Sequence, residues 1–262
     1  MTEAEWLACT DPRRMLLYLF CNCNHPAVRA YYSGEVGLIE PDGRHLEVGE
    51  RKPRLFYCAC CRRALPLAPE SDIAGPVEVG ERLADGLSTD GEWGAARQSA
   101  RAAVERCRSA RRAVDTWVAL AVSSCLEEVW TGGIDSVTQA ALAVSEAKHV
   151  APVDGDLPLD RAELGEQANL LRCVFGPLPF RSPAVDPAWL AWNGGTAVRL
   201  ARGVYEGREL PSGTLGPARL AVLADALEEA GCADADLLGH LRGPGPHVRG
   251  CHAFDLILSK DR

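Results

Sequence analysis

Apolar positions along the chain recur mostly at helical spacing. The clearest run is Ala96, Ala100, Ala103, Cys107, Ala110, Val114, Trp117, Ala121 and Cys125, which step by three and four residues. No proline interrupts from Glu92 to Trp130. The pattern predicts one helix of about 38 residues, about 57 Å long at the α-helical rise. Its stripe is made of small residues, so a neighbouring helix can approach closely. Gly132-Gly133 reads as its end. A second helix from about Asp135 to His149, with Val137, Ala141, Val144 and Lys148 on one face, reads as its antiparallel partner.

Capping chemistry supplies the boundaries elsewhere. Thr2 with Glu5, and Thr89 with Glu92, form capping boxes. Asp11-Pro12 reads as N-cap and first helical position of a helix to about Cys21. Pro53, Pro76 and Asp160 open further helices. Asp186-Pro187 starts a short one carrying Trp189 and Trp192, and Asn193 starts another to about Tyr205. Leu220, Leu223, Ala224, Leu227 and Ala230 form an apolar face closed by Gly231. Ala235 to Leu241 and Val248 to Ser259 follow.

One stretch, 36–48, breaks the helical period. Val36, Leu38 and Glu40 alternate, Pro41-Asp42-Gly43 is a turn, and Leu46 and Val48 alternate again, which predicts a hairpin. The fold class is therefore mostly α: a helical bundle around one long helix, with a small β-hairpin insertion. Gly176 to Pro187 holds four prolines and reads as a linker between an N-terminal helical region, 1–175, and a C-terminal one, 188–262.

Composition narrows the classes. The 262 residues are 47% hydrophobic but only 6% aromatic, so the core must be built mainly from Ala, Leu and Val. A net charge of -8 argues against broad nucleic-acid or anionic-membrane binding. No apolar run approaches the ~20 residues of a membrane span. Eleven cysteines, an odd number and mostly inside helical patterns, do not form a secreted disulfide framework. The acidic start Met1-Thr2-Glu3 has no basic n-region. These features point to a reducing cytoplasm, with Cys107, Cys125 and Cys173 as buried free thiols.

Four constellations carry candidate chemistry. Cys21, Cys23 and His25 share a loop, and Cys58 and Cys61 share a helix face, so zinc could be held by Cys21, either Cys23 or His25, Cys58 and Cys61. Cys-x-Cys-x-His is a poor zinc spacing, and a helix burying thiols in a core is the plainer account. The loop Arg242-Gly-Pro-Gly-Pro-His247 feeds a helix start, where Arg242, His247 and Arg249 could hold a phosphate or carboxylate. The plainer account is a rigid corner whose arginines pair with Asp234, Asp236 or Asp255. Arg97, Arg101, Arg108 and Arg112, with Glu105 among them, form a stripe that ordinarily is a solvated face. No Gly-x-Ser-x-Gly, Walker, His-Glu-x-x-His or Gly-x-Gly-x-x-Gly motif is present. His240, His247 and His252 fall close to Cys251 in sequence, and His247 and Cys251, four apart, could touch.

Several segments resemble an uncharacterised family of bacterial proteins of planctomycete type, found as many paralogues. They are the start MTEAEWLACTDP, the helix PRLFYCACCRRAL, VEVGERLADGL, the run QANLLRCVFGPLPFRSPAVDPAWLAW, and the ending LADALEEAGCADADLLGHLRGPGPHVRGCHAFDLILSK. Some relatives carry labels suggesting an SMI1/KNR4 association, but no SMI1/KNR4 sheet pattern occurs here. The resemblance implies no activity and no catalytic residue.

The reading from sequence is a cytoplasmic, non-enzymatic protein-interaction or regulatory module, with a protein partner, no membrane, nucleic acid disfavoured, and a homo-oligomer compatible. No cofactor is required. The alternative is a zinc- or thiol-dependent module built on the N-terminal cysteines, enzymes included.

Overall fold

The computed structural model describes residues 1–21, 49–69, 72–127, 129–149, 158–177, 180–181 and 184–260. The hairpin expected over 36–48 lies outside them, as do Cys23 and His25. The described residues form helices: α1 (Glu3–Ala8), α2 (Pro12–Cys21), α3 (Arg51–Ala64), α4 (Ala74–Ala84), α5 (Asp90–Ser109), α6 (Ala113–Cys125), α7 (Val129–Ala147), α8 (Arg161–Phe175), α9 (Pro187–Glu206), α10 (Pro217–Glu229), α11 (Ala235–Arg242) and α12 (His252–Leu258). Among them, β pairing is limited to single bridges joining Glu209 to Thr214 and Thr214 to Val248. No described helix is long and apolar enough to cross a membrane. The chain divides into two compact units, Met1–Ala168 and Asn169–Arg262.

Both capping boxes form, each with the threonine side chain accepting from the N3 backbone and the glutamate accepting from the cap N–H. Asp11 and Asp160 cap α2 and α8, accepting from the backbone of Arg13 and Glu163 at 3.0 and 2.8 Å.

The long helix is corrected to two. α5 ends at Ser109 and α6 begins at Ala113. Arg111 is left-handed, with φ 56°. Its N–H donates to Arg108 O and that of Arg112 donates to Cys107 O, the hydrogen-bond pair of a Schellman turn. Folding back lets the small-residue stripes of the two halves face each other, so tertiary burial overrides a continuous helical pattern. The halves are antiparallel: Trp93 Nε1 near the start of α5 donates to Leu126 O just past α6, and Arg97 and Arg101 pair with Glu127. Gly132-Gly133 does not end a helix but lies within α7.

The centre of the first unit is instead α3. Eleven of its fourteen residues are buried, among them Leu55, Phe56, Tyr57 and Cys58. It is covered by α4, α6 and α7, so its apolar residues run around the helix. Two arginines on it are buried and matched. Arg62 donates to both Glu81 oxygens at 2.5 and 2.7 Å. Arg54 donates to Cys125 O and Glu127 O, satisfying carbonyls that the end of α6 leaves open.

In the second unit the remainder of α8 is followed by α9 to α12. α9 is broken at Trp192–Gly195, where Asn193, Gly194 and Gly195 all take positive φ, which is the break that Asn193 predicts. The core is Ala197, Ala201, Val204, Tyr205, Leu220, Leu223, Leu227, Leu241 and Phe254.

Candidate metal centre

The second unit brings four soft or borderline donors together. Ligand-capable atoms of Cys173, His240, His247 and Cys251 all lie within 4.8 Å of one another. Among the described residues this is the group of three or more Cys, His, Asp or Glu that could hold a metal.

Each donor is placed by its own segment. Cys173 lies in the last turn of α8, where Gly176 N–H donates to Arg172 O and Gly176 turns left-handed at φ 60°. His240 lies in the last turn of α11. That helix is started by Asp234, whose Oδ1 accepts from Asp236 and Leu237 N–H at 3.0 Å, and is seated by Leu237, Leu238 and Leu241. His247 follows the Gly-Pro-Gly-Pro corner. Gly245 has φ 87°, and a Cβ there would stand 2.9 Å from His247 N, so the chain needs glycine to bring this imidazole in. Leu215 N–H donates to His247 O at 2.8 Å and pins the corner to the core. Cys251 is the N-cap residue of α12.

The side-chain geometry is that of a ligand set. His240 Nε2 is 3.2 Å from Cys251 Sγ. The His240 and His247 rings meet edge to face at 4.7 Å. His247 Nε2 lies 3.2 Å from Gly243 O. A carbonyl only accepts, so Nε2 carries a proton and donates. Nδ1 is then the unprotonated nitrogen of the neutral ring. It is buried, in a residue only 4% exposed, and makes no well-aligned hydrogen bond, with the Cys251 thiol beside the ring. A buried polar atom left so costs about 1–3 kcal/mol. A histidine that donates one nitrogen to a backbone carbonyl and leaves the other unprotonated is arranged as metal-bound histidines are. Zinc with Zn–N about 2.0–2.1 Å and Zn–S about 2.3 Å needs donors about 3.3–3.8 Å apart, which these four reach by side-chain adjustments of about an ångström or less.

Electrostatics distinguish the two thiols. Burial works to raise Cys251, but a hydrogen bond from Cys173, the charge and hydrogen bond of His240, and His247 outweigh it and hold Cys251 well below the ordinary thiol value. Burial, with Cys251 alongside, pushes Cys173 well up. Burial lowers His247, but the neighbouring Cys251 more than offsets it and raises the imidazole.

The residues singled out from the sequence fall differently. Arg242 donates to Asp225 and Glu228 at 2.7 and 2.6 Å. Arg249 lies over the Tyr205 ring, 5.2 Å from its centre. Of the three, His247 joins the metal cluster. Cys58 and Cys61 are fully buried in α3, and hydrogen bonding of the Cys125 thiol toward these two, together with burial, raises Cys125 well above the ordinary thiol value. Cys125 Sγ itself donates to Val122 O at 3.2 Å. Convergence of Cys58 and Cys61 with Cys21, Cys23 or His25 lies outside the described side chains. The arginine stripe is paired: Arg97 and Arg101 with Glu127, Arg108 with Glu105, Arg112 with Asp115.

His240, His247 and Cys251 are neighbours in the sequence, whereas Cys173 reads there as a core thiol. The available signal was His-x6-His-x3-Cys flanking a Gly-Pro-Gly-Pro corner, which is no established zinc spacing. Comparison with protein-family models, curated proteins and solved structures finds no match to this chain.

Proposed function

We propose that the chain is a non-enzymatic interaction or regulatory module whose C-terminal unit is organised by one zinc ion, held by Cys173, His240, His247 and Cys251. The observation that carries this reading is His247 Nδ1, buried and without a well-aligned hydrogen bond while Nε2 is committed to Gly243 O. Charge supports it: two thiolates, two neutral imidazoles and a divalent cation sum to zero, so the group can be buried without a net charge. Ligand type supports it as well, since thiolate with imidazole suits zinc rather than magnesium or calcium. Four protein ligands fill a tetrahedron and leave no position for water, which is the form of a structural rather than a catalytic zinc.

The test is native mass spectrometry of full-length protein purified under reducing conditions, before and after exposure to one equivalent of Zn2+. The expected result is one zinc per chain, lost in Cys251→Ala. A wild-type chain that takes up no zinc, or a Cys251→Ala chain that retains it, refutes the assignment.

A further inference from the structure

A third histidine stands beside the four donors without being one of them. His252 directly follows Cys251 and is 8% exposed. Its Nδ1 lies 3.0 Å from the carbonyl oxygen of Cys173. The carbonyl only accepts, so Nδ1 carries a proton and donates. Cys173 lies in the last turn of α8, where helix carbonyls have no partner within the helix. His252 therefore satisfies the backbone of one donor residue from a position next to another. Its ring also packs on the ring of His240, 4.3 Å between centres.

The chain makes room for this ring. A Cβ on Gly176 would stand 2.4, 2.6 and 2.8 Å from His252 Cγ, Cδ2 and Nδ1. Gly176 is thus needed twice over, for its φ of 60° and for the space it leaves. Burial of a histidine against a helix end is ordinary. Contact with three of four donor residues, through a backbone bond, a peptide bond and a ring face, is not.

Resting on the zinc reading, we infer that His252 is a positioning residue of the metal site, a brace that sets the separation of Cys173 and Cys251 and backs the ring of His240. It is not a ligand. Losing such an outer partner costs metal affinity about 10–100-fold.

Two variants separate the donor from the ring. His252→Phe keeps a ring and removes the N–H. His252→Asn places an amide nitrogen where Nδ1 stands and removes the ring. Zinc affinity of the full chain is read by competition with a chromogenic chelator, and the site itself by the visible bands of the Co2+-loaded protein. His252→Phe is expected to bind zinc about 10–100-fold more weakly, and His252→Asn to recover to within about threefold of wild type. Both keep four-coordinate cobalt bands with thiolate charge transfer, because no ligand is lost. Gly176→Ala keeps every ligand and His252 itself, crowds the ring, and is expected to weaken binding like His252→Phe; it carries the test if His252→Phe does not fold. Wild-type affinity in His252→Phe, or in Gly176→Ala where that variant carries the test, overturns the brace. So does a His252→Asn chain as weak as His252→Phe, or a loss of the four-coordinate bands. A wild-type chain that binds neither Zn2+ nor Co2+ overturns the metal reading and this one with it, whereas a binding wild type with unchanged variants overturns the brace alone.

Discussion

His247→Ala separates what the imidazole does for the metal from what it does for the fold. In the metal-free chain the substitution has two opposed effects. It removes Nδ1, whose burial without a well-aligned hydrogen bond costs about 1–3 kcal/mol, and it leaves a void under a corner still pinned by Leu215 N–H, which costs a similar amount. The Nε2–H donated to Gly243 O is lost as well, so metal-free stability should fall by about 1 kcal/mol. With zinc the balance changes. An ion bound only by the folded state adds about 2.7 kcal/mol at a free concentration one hundred times Kd, and about 4.1 at one thousand times. For a unit the size of Asn169–Arg262, each kcal/mol moves the midpoint by about 4–8 °C. Zinc at one hundred times Kd should raise the wild-type transition of this unit by about 11–22 °C. The assay is differential scanning calorimetry of the reduced full chain, wild type and His247→Ala, each with excess chelator and with buffered free zinc. The wild type should shift and the variant should not. A wild-type midpoint indifferent to zinc, or a variant that shifts as far, would show that His247 holds no metal.

Three further predictions concern the first unit. Glu81→Gln removes the carboxylate charge that accepts two N–H bonds from the buried Arg62 and should cost about 3–5 kcal/mol, read from urea unfolding; the loss should be recovered in a double variant that makes both positions apolar. Arg111→Gly keeps the Schellman bonds at φ 56° and relieves left-handed strain in a residue with a Cβ, so it should stabilise by about 0.5–1 kcal/mol in the same assay. Glu127 is pulled up by burial but more strongly down by Arg101 and Arg97, so its folded pKa is lowered from 4.5. A lowered carboxyl contributes stability that is complete above its unfolded pKa and lost as pH falls through the folded one. Glu127→Gln should therefore flatten the acid limb of the stability profile below about pH 4.5, and equal acid limbs would refute the pairing.

Two helix ends of the same kind show what could be read in the chain. α10 ends with Gly231 at φ 93°, Gly231 N–H donating to Glu228 O and Cys232 N–H to Leu227 O. The glycine marks that end in the sequence, because it takes the left-handed conformation freely. α5 ends in the same hydrogen-bond pair, but with Arg111 in the left-handed position. Nothing in the composition around Arg111 distinguishes it from helix interior, and the small-residue period runs on through the break. The mostly α class, the capping boxes, the break at Asn193 and most helix bounds were thus legible, because each rests on local chemistry. The turn at Arg111 was not, because the burial gained by folding the stripe on itself is a tertiary effect. The metal centre was half legible for the same reason. His247 and Cys251 share a corner, and His240 precedes it by one loop. Cys173 reaches them only through the path of α8, and in sequence it is one more thiol in a helix.

That remoteness bears on what the ion would do. Cys173 opens the second unit and Cys251 starts its last helix, with α9, α10 and α11 between them. A metal clip between these ends closes nearly the whole unit, and long closures remove the most freedom from the unfolded chain. The core it supplements is modest: its fully or nearly buried aromatics are Phe175, Tyr205 and Phe254, and the rest is mainly Ala, Leu and Val. The donors also sit at helix ends rather than within helices, at the last turns of α8 and α11 and the N-cap of α12. Ends are where elements change direction, so an ion there fixes the angles between helices, whereas one held along a helix would only stiffen it. The Gly-Pro-Gly-Pro corner and Gly176 serve this arrangement by letting backbone and ring approach where a Cβ would block them. Replacing Gly245 by alanine tests that step directly: His247 must retreat, so zinc affinity should fall by a factor of about ten or more, with helix content by circular dichroism unchanged. Undiminished binding in that variant would mean that the corner is shaped for packing alone.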